Sequence, residues 1–359
     1  MSGIVNVKGR KAAILYNVAR WHLARLVGGR EFPLAATFQL TNRCNLRCVM
    51  CNIPNNPDLD SLTLTDFTAV VEELASMGCC FASLSGGEVL TIPRFFDYLR
   101  AAKSNLPTVN TVTNGLLLDK VAAVEFAAAG ADSVSVSLDG MEHTHEKTRA
   151  RVGSFARTVE AVETLRTFAP GVKVVVNTVI APWNISELKE LALFVERLGV
   201  RQKFQPLNEH PTFEGQAREY DLGERTVDKK EAEDLVDFLM RRKSVVNSRY
   251  FLRSIPAYLS GEPRGRLFTS PCVLPRFLCE FREDGRMYPC LGGKDWKGGY
   301  PVGTGIKDIF HSPEYREDVA RLRDCRFCRK SYSVCYIEPR VTFPVTSYLR
   351  YRLLGNVFG

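Results

Sequence analysis

Short runs of β-branched and apolar residues alternate with helical stretches between residues 35 and 210. Six runs predict strands, at residues 36–41, 81–85, 108–113, 133–138, 173–180 and 202–207. Apolar positions with helical spacing predict helices between them, at residues 65–77, 94–103, 119–128, 154–168 and 186–198. Strands that alternate with helices in this way predict an α/β fold with a parallel sheet.

The number of repeats limits the architecture. Six strands are fewer than the eight that close a full barrel, so the pattern predicts either a partial barrel or an open, doubly wound sheet. In both architectures ligands bind at the carboxyl ends of the parallel strands. The residues that directly follow each strand are therefore the first candidates for a functional site.

The remaining segments differ from residues 35–210 in composition. Residues 1–34 predict a basic helical segment, and residues 211–267 predict a bridging region with one strong helix at 229–242. Residues 268–340 are rich in Cys, Gly and Pro, which predicts a small metal-stapled module. Residues 341–359 form a basic and aromatic tail.

Charge and composition exclude several classes of function. The formal net charge of +8 comes from residues 1–35 and 340–359, and the segment between them is formally neutral. A nucleic-acid-binding protein would carry its basic patch on the main domain, so we expect no nucleic-acid partner. A hydrophobic content of 45% and a charged content of 25% are typical of a folded globular protein.

The cellular compartment follows from the absence of targeting signals in the sequence. No run approaches the ~18–20 apolar residues that cross a bilayer, and the first residues do not form a secretory signal. We therefore expect a cytoplasmic protein. In that reducing compartment the 11 cysteines are better explained by metal ligation than by disulfides.

The first cysteine group directly follows the first predicted strand. Cys44, Cys48 and Cys51 have the spacing C-x3-C-x2-C on one short loop. Three thiolates suit three irons of a [4Fe–4S] cluster, whereas structural zinc usually takes four protein ligands. A cluster held by three cysteines keeps one iron open to a ligand, so this loop predicts a reactive centre.

The second cysteine group lies near the end of the chain. It comprises Cys272, Cys279, Cys290, Cys325, Cys328 and Cys335. Residues 281–288 predict a β-hairpin that turns at residues 283–285, between Cys279 and Cys290. Cys279 falls at an apolar hairpin position and is expected in the core. A four-cysteine zinc site remains an alternative to an iron–sulfur cluster here.

The cysteine loop resembles the signature of the radical S-adenosylmethionine (SAM) enzymes, and Met50 occupies the position before the third cysteine where that family has an aromatic or apolar residue. The resemblance implies a partial (β/α)6 TIM-like barrel. It also implies that the open iron binds SAM, and that reductive cleavage of SAM gives a 5′-deoxyadenosyl radical that abstracts hydrogen from the substrate.

Further motifs of that family match at the ends of the next strands. The predicted cofactor-binding residues are Met50, Gly86, Gly87, Glu88, Thr113, Asn114, Ser137, Asp139 and Arg149. By resemblance, Glu88 meets the amino group of SAM, Ser137 and Asp139 lie near its ribose, and Arg149 meets its carboxylate. A helix cap and a surface ion pair are the alternative roles of Asp139 and Arg149.

The C-terminal module resembles the SPASM/twitch domains that hold auxiliary iron–sulfur clusters. The resemblance favours one auxiliary [4Fe–4S] cluster over two, because Cys335 alone follows Cys328. The preferred ligands are Cys272, Cys290, Cys325 and Cys328, with Cys335 as the reserve ligand. The predicted fold is therefore a partial barrel with a small C-terminal cysteine-rich α+β auxiliary-cluster domain.

The resemblance predicts oxidation, rearrangement or epimerisation of a substrate, with a flavodoxin or ferredoxin as electron donor. An epimerase needs a hydrogen donor, for which Cys279, Cys335 and Cys80 are candidates. About 35 residues precede the barrel, fewer than the leader-binding domain common in peptide-modifying relatives. This favours a small-molecule, sugar or lipid-linked substrate. The alternatives are a peptide maturase and, outside enzymes, a zinc- or cluster-binding interaction protein.

The two ends of the chain predict contact with a membrane surface. In the helix predicted at residues 11–27, Leu15, Leu23 and Leu26 share one face, and Ile14 and Trp21 belong to a second stripe. The last residues also mix aromatic, apolar and basic side chains. Such segments bind anionic membrane surfaces, and packing of both ends on the barrel is the alternative.

Overall fold

The structure is a computed structural model, and it describes residues 7–27, 31–59, 61–208, 227–261, 272, 274–290 and 299–322. All six predicted strands are present within two residues of the expected bounds. They are β1 (Ala35–Gln39), β2 (Phe81–Ser85), β3 (Thr108–Thr113), β4 (Ser133–Ser137), β5 (Lys173–Ile180) and β6 (Arg201–Pro206).

Helices alternate with these strands along the chain, and further helices precede β1 and follow β6. The helices are α1 (Val7–Leu26), α2 (Leu64–Met77), α3 (Phe95–Asn105), α4 (Lys120–Ala128), α5 (Glu142–Arg149), α6 (Ser154–Phe168), α7 (Leu188–Arg197), α8 (Lys229–Met240), α9 (Arg249–Leu259), α10 (Leu274–Phe277), α11 (Ile306–His311) and α12 (Pro313–Leu322). Local signals set their ends. The Thr63 hydroxyl accepts a hydrogen bond from the Asp66 amide at the start of α2, and Gly78 ends that helix with a φ of 113°.

The first six strands form a parallel sheet in chain order, from β6 across to β1. Along these strands, except at the buried Ser135 of β4, buried residues alternate with more exposed ones, as in β3, where Val109 is buried and Asn110 is half-buried. The helices therefore cover one face of the sheet, and the other face lines an open lumen. The strand order has no reversal, so right-handed crossovers place all the connecting helices on the same face, and β6 is not paired with β1. The sheet is therefore a partial barrel rather than a doubly wound sheet, as the family resemblance implied.

Three more strands extend the sheet beyond β1. They are β7 (Leu278–Phe281), β8 (Arg286–Tyr288) and β9 (Tyr300–Pro301). β7 pairs with β1 in parallel, and β8 and β9 follow in antiparallel pairing. The predicted hairpin exists, and Gly285 adopts a φ of 72° at its turn. The described part of the cysteine-rich segment thus shares one sheet with the barrel.

Aromatic side chains hold β1, β7 and α2 together. Phe38 on β1 stacks on Phe281 of β7 with ring centroids 4.7 Å apart. It also meets the edge of Phe67 of α2 at 4.8 Å. All three rings are fully buried, and burying one such side chain stabilises a fold by about 1.5–3 kcal/mol. This packing fixes the strand from which the Cys44 loop departs.

Helix α1 packs on the amino-terminal end of the barrel through one of its two predicted stripes. Trp21 is fully buried, and its indole N–H donates to the carbonyl of Arg276 at 3.2 Å. The Arg20 guanidinium donates to the Met77 carbonyl and lies 4.1 Å from the centre of the Phe32 ring. The other stripe stays exposed, with Leu15 at 71% and Leu26 at 79% relative exposure.

No helix within the described ranges has the length and apolar character that spanning a bilayer would need. Residues 341–359 and Cys325, Cys328 and Cys335 lie outside the described residues, so the predictions on them stay predictions.

Candidate active site

The loop that carries Cys44, Cys48 and Cys51 leaves the carboxyl end of β1. Hydrogen bonds and an ion pair hold the first residues of this loop in place. The Asp58 carboxylate accepts hydrogen bonds from the Thr41 hydroxyl at 2.8 Å and from the Asn42 amide at 3.0 Å, and it pairs with Arg43 at 2.8 Å. These contacts hold the residues that precede the first cysteine.

The three thiols lie close enough to affect one another's ionisation. Burial raises the pKa of the Cys44 thiol, and burial raises that of Cys51 to about 12, with further increases from the neighbouring cysteines. Thiolates are therefore costly here unless a cation compensates them. Iron supplies that charge, because a coordinating thiol loses its proton on binding a metal. The donor set thus fits an iron–sulfur cluster.

Within the described ranges no three His, Cys, Asp or Glu side chains gather closely enough to bind a single metal ion. Thiolates that share one zinc lie within about 4.6 Å of each other, since each Zn–S bond is about 2.3 Å. A [4Fe–4S] cluster instead takes its thiolates on different irons, so its ligands can be spaced more widely.

Gly86 and Gly87 follow β2 and press against the backbone of the cysteine loop. The Gly87 amide donates to the Thr41 carbonyl at 2.7 Å, and the Glu88 amide donates to the Arg43 carbonyl at 2.8 Å. A Cβ on Gly87 would lie 2.2 Å from the Arg43 carbonyl oxygen. The two glycines are therefore required by the close approach of the cysteine loop.

Glu88 joins the ends of β2 and β3. Its buried carboxylate accepts hydrogen bonds from the Thr113 hydroxyl at 2.7 Å, the Asn114 amide at 2.7 Å and the Leu90 amide at 3.1 Å. Burial raises the pKa of Glu88 although these donors oppose the shift. Asn114 in turn donates to the Asn45 side chain at 2.7 Å, beside Cys44. The predicted contact of Glu88 with SAM stays a prediction.

Helix α5 presents a charged side chain to the cysteine loop. Arg149 pairs with the fully buried Asp139 at 2.5 Å, and its guanidinium donates to the Cys48 sulfur at 3.7 Å. Burial opposes its charge, but Asp139 and Cys48 raise the pKa of Arg149 overall. The predicted contacts of Asp139 and Arg149 with SAM stay predictions.

His145 on α5 is buried beside the same pair. Its Nδ1 accepts a hydrogen bond from the Asp139 amide at 3.2 Å. Burial, together with the charge of Arg149, lowers the pKa of His145 to about 3. The imidazole is therefore neutral at physiological pH and orients the Asp139 backbone without adding charge.

We expect Arg149→Met to destabilise the fold by about 3–5 kcal/mol, because it leaves the buried Asp139 carboxylate without its partner. The measurement is a urea unfolding curve of the anaerobically reconstituted protein. Arg157→Met is the matched control: its pair with Glu160 is exposed at 43% and 60%, so its loss changes stability by less than about 1 kcal/mol. Equal shifts for the two variants would contradict the buried-pair interpretation.

Apolar side chains surround the cysteine loop. The group comprises Leu46, Val49 and Met50 from the loop, with Leu116, Val179, Trp183 and Leu207 packed against it. The Trp183 indole N–H donates to the Thr148 hydroxyl at 3.0 Å, and the Thr148 carbonyl accepts from the Val49 amide at 3.0 Å. This arrangement limits water access to the thiols and places Met50 in the wall of the site.

The C-terminal hairpin also reaches the cysteine loop. The Glu283 carboxylate accepts a hydrogen bond from the Asn42 side chain at 2.7 Å and from Gln39 at 3.4 Å. Its carbonyl accepts hydrogen bonds from the Ser61 amide at 2.8 Å and the Leu62 amide at 3.2 Å. The turn between β7 and β8 therefore braces the loop. Sequence reasoning missed this contact.

The lumen face of the sheet carries polar side chains that sequence reasoning also missed. Asn110 donates to the Ser83 hydroxyl at 3.3 Å and accepts from Ser133 at 2.9 Å and from Ser135 at 3.2 Å. Strand register places Ser137, Asn177 and Lys203 in one row across β4, β5 and β6. The alternation of polar with apolar residues along these strands was the sequence signal that could have indicated a polar lumen.

The candidate hydrogen donors Cys80 and Cys279 lie away from this lumen. Both are fully buried. Cys80 precedes β2 and is separated from Gly86 by the whole strand, about 20 Å at about 3.3 Å per residue. Cys279 is paired in register with Ala36, on the helix-covered face that Phe38 and Phe281 also occupy, and burial raises the pKa of its thiol.

Two of the predicted auxiliary ligands fall within the described residues. Cys272 is half-buried and Cys290 is buried. The remaining predicted ligands, Cys325, Cys328 and Cys335, lie outside the described residues. The assignment of the auxiliary cluster therefore stays a prediction.

Comparison with known proteins agrees with this site. Residues 38–195 match the family model of the radical SAM superfamily, a range that includes the cysteine loop, Gly86–Glu88, Asn114 and Arg149. This match identifies residues 38–195 as a radical SAM domain, the family that uses a [4Fe–4S] cluster and SAM. The match favours an enzyme over the alternative of a non-enzymatic interaction protein.

Individual relatives are similar to this chain over part of their length. It is 32% identical to the AdoMet-dependent heme synthase of Methanosarcina barkeri (strain Fusaro / DSM 804) over 46% of this chain and 48% of the relative. It is 31% identical to the sporulation killing factor maturation protein SkfB of Bacillus subtilis (strain 168) over 44% of this chain and 38% of the relative. The chain thus spans less than half the length of these relatives.

Solved structures support the fold. The structure of Streptococcus suis SuiB bound to S-adenosylmethionine has a TM-score of 0.64 at 16% identity, covering 89% of this chain and 77% of that one. At this identity the likeness establishes the partial-barrel fold alone.

The expectation of a small-molecule, sugar or lipid-linked substrate is wrong. Several relatives are named as maturation proteins, a bacteriocin biosynthesis protein or a peptide cyclase. They are the maturation protein SkfB, the antilisterial bacteriocin subtilosin biosynthesis protein AlbA, the mycofactocin maturase MftC and the PqqA peptide cyclase. The expectation used the length of chain before β1, which does not determine the substrate class. The matches therefore favour the alternative of a peptide maturase.

Proposed function

We propose that this chain modifies a peptide by radical SAM chemistry. The observation that carries the proposal is that a peptide cyclase, a bacteriocin biosynthesis protein and two proteins named for maturation match this chain at 26–31% identity. The polar lumen between the strand ends supports it, because peptide N–H and C=O groups need hydrogen-bonding partners when they leave water.

The residues of the site have separate tasks in this proposal. When bound, the cluster and SAM supply one-electron chemistry that removes a hydrogen atom from an unactivated carbon. Cys44, Cys48 and Cys51 hold the cluster, and Arg149 places a positive charge beside Cys48. The apolar group around Trp183 limits water access, which protects a reactive centre from side reactions.

Reduction and further electron transfer involve groups beyond the barrel. We propose a flavodoxin or ferredoxin as the electron donor. We also propose one auxiliary [4Fe–4S] cluster held by Cys272, Cys290, Cys325 and Cys328, with Cys335 in reserve. The position of the β7–β8 hairpin against the loop through Glu283 supports a functional link between the two regions.

The proposal is tested with the anaerobically reconstituted full chain, reductant and SAM. The substrates are synthetic peptides that correspond to short reading frames beside its gene. We expect one peptide to raise 5′-deoxyadenosine formation well above the peptide-free rate and to change in mass. No stimulation by any peptide, with stimulation by a sugar or lipid-linked compound, would overturn it. Enzyme with Cys44→Ala controls for adventitious iron chemistry.

We further propose that α1 lies against an anionic membrane surface. Its exposed stripe, which includes Leu15, Leu23 and Leu26, has no partner within the described part of the chain, and Lys11 is exposed on the same helix. Apolar side chains with nearby cations bind such surfaces.

Flotation with vesicles that contain phosphatidylserine tests this contact. We expect the protein to float with the vesicles, and we expect the double variant Leu15→Ser/Leu23→Ser to reduce the floated fraction several-fold. Equal fractions would refute the proposal.

A further inference from the structure

Strand β6 presents two different faces. Gln202 and Phe204 are fully buried on the helix-covered face, where the Gln202 side chain donates to the Thr178 hydroxyl at 2.8 Å. Lys203 and Gln205 alternate with them and are half-buried. Because side chains alternate along a strand, both point into the lumen.

The Lys203 ammonium has no carboxylate or hydrogen-bonding partner among the described residues. Other sheltered cations differ in this respect, because Lys103 pairs with Asp132 and Arg149 pairs with Asp139. A sheltered cation without a counter-charge is unfavourable, since it has lost part of its hydration without compensation. A ligand that brings a negative charge into the lumen would remove that cost.

Asn177, on the strand beside Lys203, offers a hydrogen-bond acceptor. Asn177 is paired with Lys203 in the register of β5 and β6, so the two residues lie about 4.8 Å apart across the sheet. The side-chain oxygen of Asn177 is buried and accepts no hydrogen bond from the described residues. The opposite side of the lumen differs, because Asn110, Ser83 and Ser133 satisfy one another. The unsatisfied groups are therefore concentrated on β5 and β6.

We propose that Lys203 binds a carboxylate of the substrate and that the Asn177 oxygen accepts a hydrogen bond from an adjacent N–H. This inference rests on the peptide-modifying function proposed above. A peptide carries both groups together, either at an Asp or Glu residue or at its C-terminus. A phosphate fits less well, because its oxygens would face the Asn177 oxygen without a donor between them.

The test measures binding of small probes to the reconstituted, SAM-loaded full chain by saturation-transfer-difference NMR. The probes are N-acetylglutamate α-amide, N-acetylalanine and the neutral N-acetylglutamine α-amide. We expect one carboxylate probe to bind about tenfold more tightly than the neutral probe, and the preferred one identifies a side-chain or a C-terminal carboxylate. Lys203→Met should abolish the preference and Lys203→Arg should keep it. Arg201→Met, on the same strand at its exposed start, should keep it too.

Several outcomes would overturn the proposal. Equal binding of the neutral probe by the unaltered protein would do so, and so would a preference that survives Lys203→Met. Weaker SAM binding in Lys203→Met with an unchanged probe preference would assign Lys203 to the carboxylate of SAM instead. If Lys203→Met fails to fold, Lys203→Glu takes its place. We expect this variant to bind the cationic probe N-acetyllysine α-amide more tightly than the carboxylate probes, and no such change would overturn the proposal. The probes measure carboxylate binding at Lys203 and do not require any reaction. A negative result in the peptide-modification assay therefore argues against the proposed function without deciding the role of Lys203.

Discussion

Replacing Cys44 with alanine is expected to remove the loop cluster and to abolish 5′-deoxyadenosine formation. In the proposed assignment the three thiols of one loop are the cysteine ligands of the barrel site, so loss of one leaves too few to hold the cluster. With an auxiliary cluster also present, iron content should fall from about eight to about four atoms per chain. The measurements are iron content, the visible absorption of the cluster and chromatography of the adenosine product.

Cys80→Ala is the matched control for this experiment. Cys80 is fully buried at the other end of β2 from the Gly86–Gly87 turn, and burial raises the pKa of its thiol. Its replacement removes one sulfur from the core and should cost stability without changing iron content. Retention of four irons at the loop in Cys44→Ala, or loss of iron in Cys80→Ala, would contradict the assignment of the loop as the cluster site.

Replacing Gly87 with alanine is expected to have nearly as large an effect on the cluster, although Gly87 is not a ligand. The added Cβ would lie 2.2 Å from the Arg43 carbonyl oxygen and 2.7 Å from that of Asn42. Both are backbone atoms of the cysteine loop, so the conflict cannot be relieved by a rotamer change. The loop must shift, and overpacking of this kind costs about 1–3 kcal/mol or more.

Iron content and the thermal unfolding midpoint measure this effect. Gly171→Ala is the matched control, because a Cβ there meets nothing within 4 Å. We expect Gly87→Ala to lose most of the loop iron and to unfold at a lower temperature, and Gly171→Ala to change neither measurably. Full iron content in Gly87→Ala would mean that the loop tolerates the shift, contrary to the close packing described here.

The barrel strands could be predicted because each one is specified locally. Apolar runs between helix caps and glycines marked β1 to β6, and the reactive motifs fell at their carboxyl ends because parallel strands all point the same way. Helix α5 was missed. Its buried face is made of His145, Thr148 and Arg149, so it lacks the apolar period that identifies a helix in a sequence.

Long-range features were not accessible from the sequence. The parallel pairing of β7 with β1 joins residues far apart in the chain, and no local pattern encodes such a partner. The contact of Glu283 with Asn42 follows from that pairing and was missed for the same reason. The substrate class was wrong because the length of the segment before β1 does not determine the substrate, and the names of the relatives favour a peptide.

The bracing of the cysteine loop by Glu283 has a consequence for the order of events during synthesis. Asn42 and Glu283 are separated by 241 residues, so their contact forms only after Glu283 has been synthesised. At about 5–20 residues per second this takes roughly 10–50 s after Asn42 is added. The pairing of β1 with its second neighbouring strand, β7, is delayed by a similar time. The hydrogen bond between the loop and the hairpin therefore forms only after all six barrel strands have been synthesised.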